Sequence, residues 1–170
     1  MHVTLIDPPR FTFPLNHASN VAIPPLGIAY VAASIESKGN NVHVIDSIGS
    51  ALTNYSKFGP VYLRGLEFND IIKQIDSETD IIALGNMFSC QWTVTKHLIS
   101  KIKDTYPHKP IVLGGEHPTG MPELSFKQSP VDILVLGEGE ETIVDLINYF
   151  SNNSIDLANI PGIGYRKNGK

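Results

Sequence analysis

Short apolar runs rich in β-branched residues alternate with helix-length amphipathic segments along nearly the whole chain, a pattern that commits it to a parallel sheet with helical crossovers. The runs lie at residues 3–6, 42–45, 81–84, 111–113 and 133–136, each too short for a helix and each followed by Gly or Asp. Read as strands, they number five. Between the first two, Leu26, Tyr30, Ala33 and Ile35 recur at near-helical spacing. Pro24 and Pro25 sit where helices begin, and Gly39 supplies a stop. Further helices are predicted over 66–75, over 94–106 with Leu98, Ile99 and Ile102 on one face, and over 142–150, with a short helical turn at 122–127. Residues 162–166 read as a further strand or an exit linker, with Asn168-Gly169 a turn signal beyond. Right-handed crossovers then give an α/β, doubly wound, flavodoxin-like five-stranded parallel sheet of order 2-1-3-4-5, with helices on both faces.

In that winding, ligands bind beyond the carboxyl ends of the strands, so the loops following strands one, three, four and five are expected to carry function. The connection from Asp7 to Pro24 is far longer than the roughly 2–6 residues usual for such a loop, as is residues 47–65, and both read as binding loops. Gly114-Gly115 and Gly137-Glu138-Gly139 remove side chains beside two neighbouring strand ends, where a flat ligand would slide between backbones. Singly, each glycine is equally well explained as a turn residue; their joint placement favours a slot. The pattern is neither a dinucleotide fingerprint nor a P-loop, since no third glycine stands at Thr142 and the motif follows the last run.

Composition narrows the classes. A chain of 170 residues fits one domain with a core of its own. Its single cysteine, Cys90, excludes an internal disulfide framework and any all-cysteine zinc or iron–sulfur site. No apolar run approaches the roughly 18–20 residues of a membrane span and no signal-peptide layout opens the chain, so the expectation is a cytoplasmic protein with no membrane partner. With 13 Lys plus Arg scattered against 17 Asp plus Glu, a nucleic-acid partner is not expected either.

Several blocks in order resemble one family. They are Asp7-Pro8-Pro9, Pro24-Pro25-Leu26-Gly27-Ile28-Ala29-Tyr30 leading to Val44-Ile45-Asp46, Met87-Phe88-Ser89-Cys90-Gln91-Trp92, Gly114-Gly115-Glu116-His117-Pro118-Thr119, and Asp132 through Gly137-Glu138-Gly139-Glu140-Glu141-Thr142. Together they resemble the cobalamin (vitamin B12)-binding domain found at the amino terminus of cobalamin-dependent radical S-adenosylmethionine (SAM) enzymes. The resemblance covers nearly the whole chain. It implies a corrin ring held over the strand ends and a nucleotide tail that leaves cobalt and enters the glycine-lined slot, the base-off mode. The contacts it implies come from Pro8, Pro9 and Arg10, from Pro25 and Leu26, and from Asp46. Met87, Phe88, Ser89 and Trp92 would follow strand three, Gly114, Gly115, His117 and Thr119 strand four, and Gly137, Glu138 and Gly139 strand five. No residue is assigned a catalytic or metal-ligating role.

Two departures qualify it. Many cobalamin carriers place a cobalt-ligating histidine in an Asp-x-His-x-x-Gly loop after the first strand, whereas this chain reads Asp7-Pro8-Pro9-Arg10-Phe11-Thr12. The radical-enzyme relatives commonly lack that ligand as well. His17 lies later in the loop and is read as an exposed loop residue rather than a ligand. Second, Gly85 stands where relatives often carry a serine near the buried tail.

Elsewhere the plain readings prevail: Cys90 as a small packing residue, Glu140 and Glu141 as helix-start acids, and His97 as surface or core. A hydroxyl such as Thr119 is expected to serve the tail phosphate. The division expected is a cobalamin-binding domain over residues 1–155 and a terminal strand or linker over 156–170, leading to a radical SAM domain in cis or trans. The resemblance implies that SAM and a [4Fe–4S] cluster belong only to the full-length enzyme, most simply a methyltransferase. The alternatives are a stand-alone cobalamin or flavin carrier or regulatory module, and a degenerate interaction domain.

Overall fold

A computed structural model describes residues 1–13, 22–151 and 155–166. Along the chain run β1 (His2–Asp7), β2 (Arg10–Thr12), α1 (Leu26–Ser37), β3 (Asn41–Asp46), α2 (Ser47–Ser50), β4 (Tyr55–Phe58), β5 (Val61–Arg64) and α3 (Phe68–Gln74). After these come β6 (Ile81–Gly85), α4 (Trp92–Thr105), β7 (Ile111–Gly114), α5 (Glu116–Gly120), α6 (Pro122–Gln128), β8 (Ile133–Val135), α7 (Glu140–Phe150) and β9 (Ile163–Tyr165). His17 and the Asn168-Gly169 turn lie outside the described residues.

The central sheet is mainly parallel and has the order β3-β1-β6-β7-β8-β9. It therefore contains six strands rather than the five expected. The sixth, β9, runs antiparallel to β8, with Ile133 opposite Tyr165 and Val135 opposite Ile163. Its anchor is Arg166, whose guanidinium donates to the carbonyls of Phe126 and Ser129 and lies 5.1 Å from the centre of the Phe126 ring. A second correction concerns residues 47–65. Instead of a loop, they form α2 and a β4–β5 hairpin around Gly59-Pro60, and β2 pairs with β5 to complete a separate three-stranded antiparallel sheet.

Strand side chains alternate between two buried layers, as a parallel sheet covered on both faces requires. Ile6, Ile82, Leu84 and Leu113 meet Ile71 of α3 and Leu98, Ile99 and Ile102 of α4. On the other face Val3, Leu5, Ala83, Val112 and Val135 meet Ile35 of α1 and Ile143, Leu146 and Ile147 of α7. Ile160 is buried in this second layer, so the chain beyond α7 packs against the same core. Among the described residues no helix is long and apolar enough to cross a membrane.

Candidate functional site

Parallel strands deliver their carboxyl ends to one edge, and there the loops after β1, β6, β7 and β8 are tied together. Asn86 donates its backbone N–H to the Gly114 carbonyl (2.8 Å) and accepts at its own carbonyl from the His117 N–H (3.1 Å). Gly115 makes this approach possible: its φ is 105°, and a Cβ there would sit 2.7 Å from the Asn86 carbonyl oxygen. Thr119 Oγ1 donates to the Gly115 carbonyl (2.9 Å) and accepts from the Gly137 N–H (2.9 Å), joining the next pair of loops. That hydroxyl is thereby committed within the protein.

Between the sheet and α1 runs a strip without side chains. Gly85 and Gly114 are register partners on adjacent strands, and Gly139 follows β8. A Cβ at Gly85 would lie 3.1 Å from Ile28 Cδ1, and one at Gly139 would lie 3.4 Å from Val31 Cγ2. Gly114 faces the Val135 Cβ at 3.7 Å, while nothing approaches the Cβ position of Gly137. Besides Val135 of the neighbouring strand, the side-chain ends of Ile28 and Val31, one turn apart on α1, close this strip, so rotamer changes at these two would widen it. Gly85, which the sequence showed only as a departure, forms half of its floor.

A cavity of about 30 Å³, room for one or two waters, opens at the ends of β1 and β6. Pro8, Pro9, Met87 and Phe88 give it apolar walls, and Asp7, Asn86 and Arg10 give it polar ones. Gln91 and Thr95 complete the lining. Burial pushes the Asp7 carboxyl up to about 6; the Arg10 guanidinium, 3.6 Å away, opposes this and the charge of Asp46 adds to it. Asp46 itself caps α2 by accepting from the Gly49 N–H at 2.8 Å. Gln91 clamps β2 to the loop after β6, its Oε1 accepting from the Phe11 N–H at 2.8 Å.

Asn86 is 4% exposed. Its Oδ1 accepts from the Thr95 hydroxyl at 3.0 Å, and its Nδ2 has no partner among the described residues.

Met87 and Phe88, each 55% exposed, stand on the surface of this edge, and Leu26 and Glu138 are exposed there too. Trp92 does not share that surface. Its indole is buried, donates to Gln128 Oε1 (3.0 Å) and stacks on His117 with centroids 4.6 Å apart. His117 is also buried; its Nδ1 bonds the Ser89 hydroxyl (2.9 Å), and desolvation lowers its pKa from the usual value. Both hold the 87–91 loop from behind. Cys90 is exposed rather than packed. Asp7, Asn86, Ile28 and Val31 were not singled out by sequence reasoning as site residues. The available signal was an Asn directly after an apolar strand, a polar group the fold must bury.

A model of the B12 binding domain matches residues 15–147. The chain belongs to the B12-binding domain family. Over its whole length this B12-binding domain is 30% identical to an uncharacterized methyltransferase of Pyrococcus horikoshii, of which it covers 34%. Over 86% of its length it is 29% identical to cytidylyl-2-hydroxyethylphosphonate methyltransferase of Streptomyces wedmorensis, covering 28% of that protein. It thus spans about a third or less of the length of these curated relatives. In fold, 98% of the chain superposes on 21% of the cobalamin-dependent SAM radical enzyme OxsB with aqua-cobalamin and SAM bound, with a TM-score of 0.71 and 23% identity. The same share superposes on 29% of the radical SAM methyltransferase TsrM of Kitasatospora setae, with a TM-score of 0.66 and 17% identity.

Cobalamin is the cofactor of this domain family, and the residues present fit it. The glycine strip provides an apolar floor free of side chains, Met87 and Phe88 provide exposed apolar surface at the same edge, and Asn86 Nδ2 provides a buried donor with no acceptor among the described residues.

Proposed function

We propose that this chain is the cofactor-holding domain of a cobalamin-dependent radical SAM methyltransferase, and that it takes cobalamin base-off with no histidine on cobalt. The observation that carries the reading is the strip of Gly85, Gly114 and Gly139 under Ile28 and Val31, a floor without side chains at the ligand edge of the sheet that movement of those two side chains would open. The loop after β1 supports the rest. It carries buried Pro8 and Pro9 where a ligating carrier places its histidine, and among the described residues no histidine lines the adjoining cavity. Bound in this way, cobalamin supplies a methyl-carrying cobalt. The chain's own residues bind and orient: Met87 and Phe88 offer apolar contact, Asn86 a donor, and the loops tied through Gly115 and Thr119 a fixed frame.

With one exposed cysteine, the described residues offer no iron–sulfur ligand set. The [4Fe–4S] cluster, SAM and substrate are assigned to a radical SAM domain in cis or trans, and residues 1–155 to the cobalamin-binding unit. The test is to load the chain with hydroxocobalamin, reduce it to the cobalt(II) form and record its electron paramagnetic resonance spectrum. The expected spectrum lacks the nitrogen splitting of an axial base or imidazole. Such splitting, from the tail or from a histidine, would refute the base-off or ligand-free assignment; loss of colour on desalting would refute binding.

A further inference from the structure

The cavity at the ends of β1 and β6 has a hydrogen-bonding pattern more specific than that of a water pocket. Of its polar lining, Gln91 is occupied by both backbone groups of Phe11 and the Thr95 hydroxyl by Asn86 Oδ1. The Thr95 bond fixes the Asn86 amide, because Oδ1 at 3.0 Å is a nearer acceptor than the Gln91 carbonyl at 3.5 Å. Nδ2 is therefore directed away from Thr95. It is a donor on a side chain 4% exposed, and it lacks an acceptor among the described residues. Leaving such a donor unpaired destabilises the fold, and a bound acceptor removes that cost.

Asp7 lines the same cavity and offers the opposite character. Its side chain is 14% exposed, and its ion pair with Arg10 is a long 3.6 Å. Asp7 and Asn86 both line this small, half-apolar space, and an acceptor and an unpaired donor held on its wall complement a group that presents both: the C=O and N–H of a primary carboxamide. A carboxylate offers no N–H, and it would bring a second negative charge beside Asp7. A hydroxyl or water satisfies both sites but gains nothing from the apolar walls of Pro8, Pro9, Met87 and Phe88.

We propose that the Asp7–Asn86 cavity is a carboxamide site, in which Asn86 Nδ2 donates to the carbonyl of one corrin amide arm and Asp7 accepts from its N–H. The inference rests on the cobalamin reading above and adds the residues that choose which arm is seated. Corrin carries propionamides on its lower rim, and their methylene stems would lie along Pro9 and Met87 while the amide enters the cavity. Arg10, at the cavity mouth, holds Asp7 ionised at neutral pH and so keeps it an acceptor.

The experiment compares hydroxocobalamin with its three monocarboxylate derivatives, each with one lower-rim propionamide hydrolysed. Affinities for the 170-residue chain are measured at pH 7.5 by equilibrium dialysis with visible detection. One derivative is expected to bind about 10-fold more weakly than the parent, the scale of one charge-assisted hydrogen bond lost. Asp7→Asn should restore that derivative selectively, by relieving the charge clash, without restoring the other two. Asn86→Ala should weaken the parent by about 5-fold and compress the ranking of the derivatives. The ranking on the unaltered chain requires no variant to fold, and thermal melts check the variants. Equal affinity for all three derivatives, or a deficit that Asp7→Asn leaves in place, would overturn the carboxamide site while the cobalamin reading stands. If the unaltered chain binds no hydroxocobalamin, that reading fails and takes the site with it.

Discussion

Asp7→Asn should make the cofactor-free chain more stable at neutral pH, because the native carboxylate is ionised in a place that resists its charge. Its pKa rises from 3.8 to about 6, so the folded state binds the proton more tightly than the unfolded one. The sign follows directly: the contribution to stability is full below about pH 4 and is lost as pH rises through 6. About two units at about 1.4 kcal/mol each make the loss about 3 kcal/mol at pH 7. Exposure of 14% for the carboxyl keeps solvent screening modest, and the opposing effect of Arg10 is already contained in the shift. Allowing about 1 kcal/mol for an amide not fully paired in the cavity leaves a net gain of about 2 kcal/mol. In a domain of this size that is a Tm increase of about 4–8 °C. Urea melts followed by circular dichroism at pH 4, 5, 6 and 7 would measure it. At pH 4 the variant should be the less stable protein by up to about 1 kcal/mol, and the difference should change sign as pH rises and reach about 2 kcal/mol in its favour by pH 7. A difference independent of pH, or a variant less stable at pH 7, would refute the reasoning.

Two further substitutions test the frame and the channel. Gly115→Ala combines a left-handed φ of 105° with a Cβ 2.7 Å from a backbone oxygen, and should cost at least about 3 kcal/mol or abolish cooperative unfolding in urea. Gly85→Ala meets only the flexible end of Ile28 at 3.1 Å; it should cost about 1 kcal/mol or less in melts, yet weaken cobalamin binding more than that of cobinamide, which lacks the nucleotide tail.

Much of the fold was legible because a parallel sheet buried on both faces writes itself as uninterrupted apolar runs, such as Ile81-Ile82-Ala83-Leu84 and Ile111-Val112-Leu113. The strands β2, β4 and β5 were missed because each spans only three or four residues and none is buried along its length, so polar or exposed residues such as Tyr55, Lys57, Tyr62 and Arg64 dilute the apolar signal. The Gly59-Pro60 turn between β4 and β5 was the overlooked marker. Glu116–Gly120 read as loop because Pro118 and two flanking glycines hide a helix of five residues. At the site, glycine positions were readable as missing side chains, whereas the inward turn of Trp92 was not, because an aromatic after a strand can turn either to the surface or inward. Only the tertiary contacts of His117 and Gln128 decide that direction. The Asp7–Asn86 cavity joins residues 79 positions apart, and no local pattern announces it.

The small antiparallel sheet fastens the stretch after β1 to the hairpin after β3, and Gln91 fastens both to the stretch after β6. Three segments that look independent along the chain consequently behave as one mechanical part. Anyone wishing to retune the specificity of this edge by exchanging segments with a relative would have to transplant residues 8–13, 47–65 and 86–91 as a set, since grafting one alone breaks pairing in the other two.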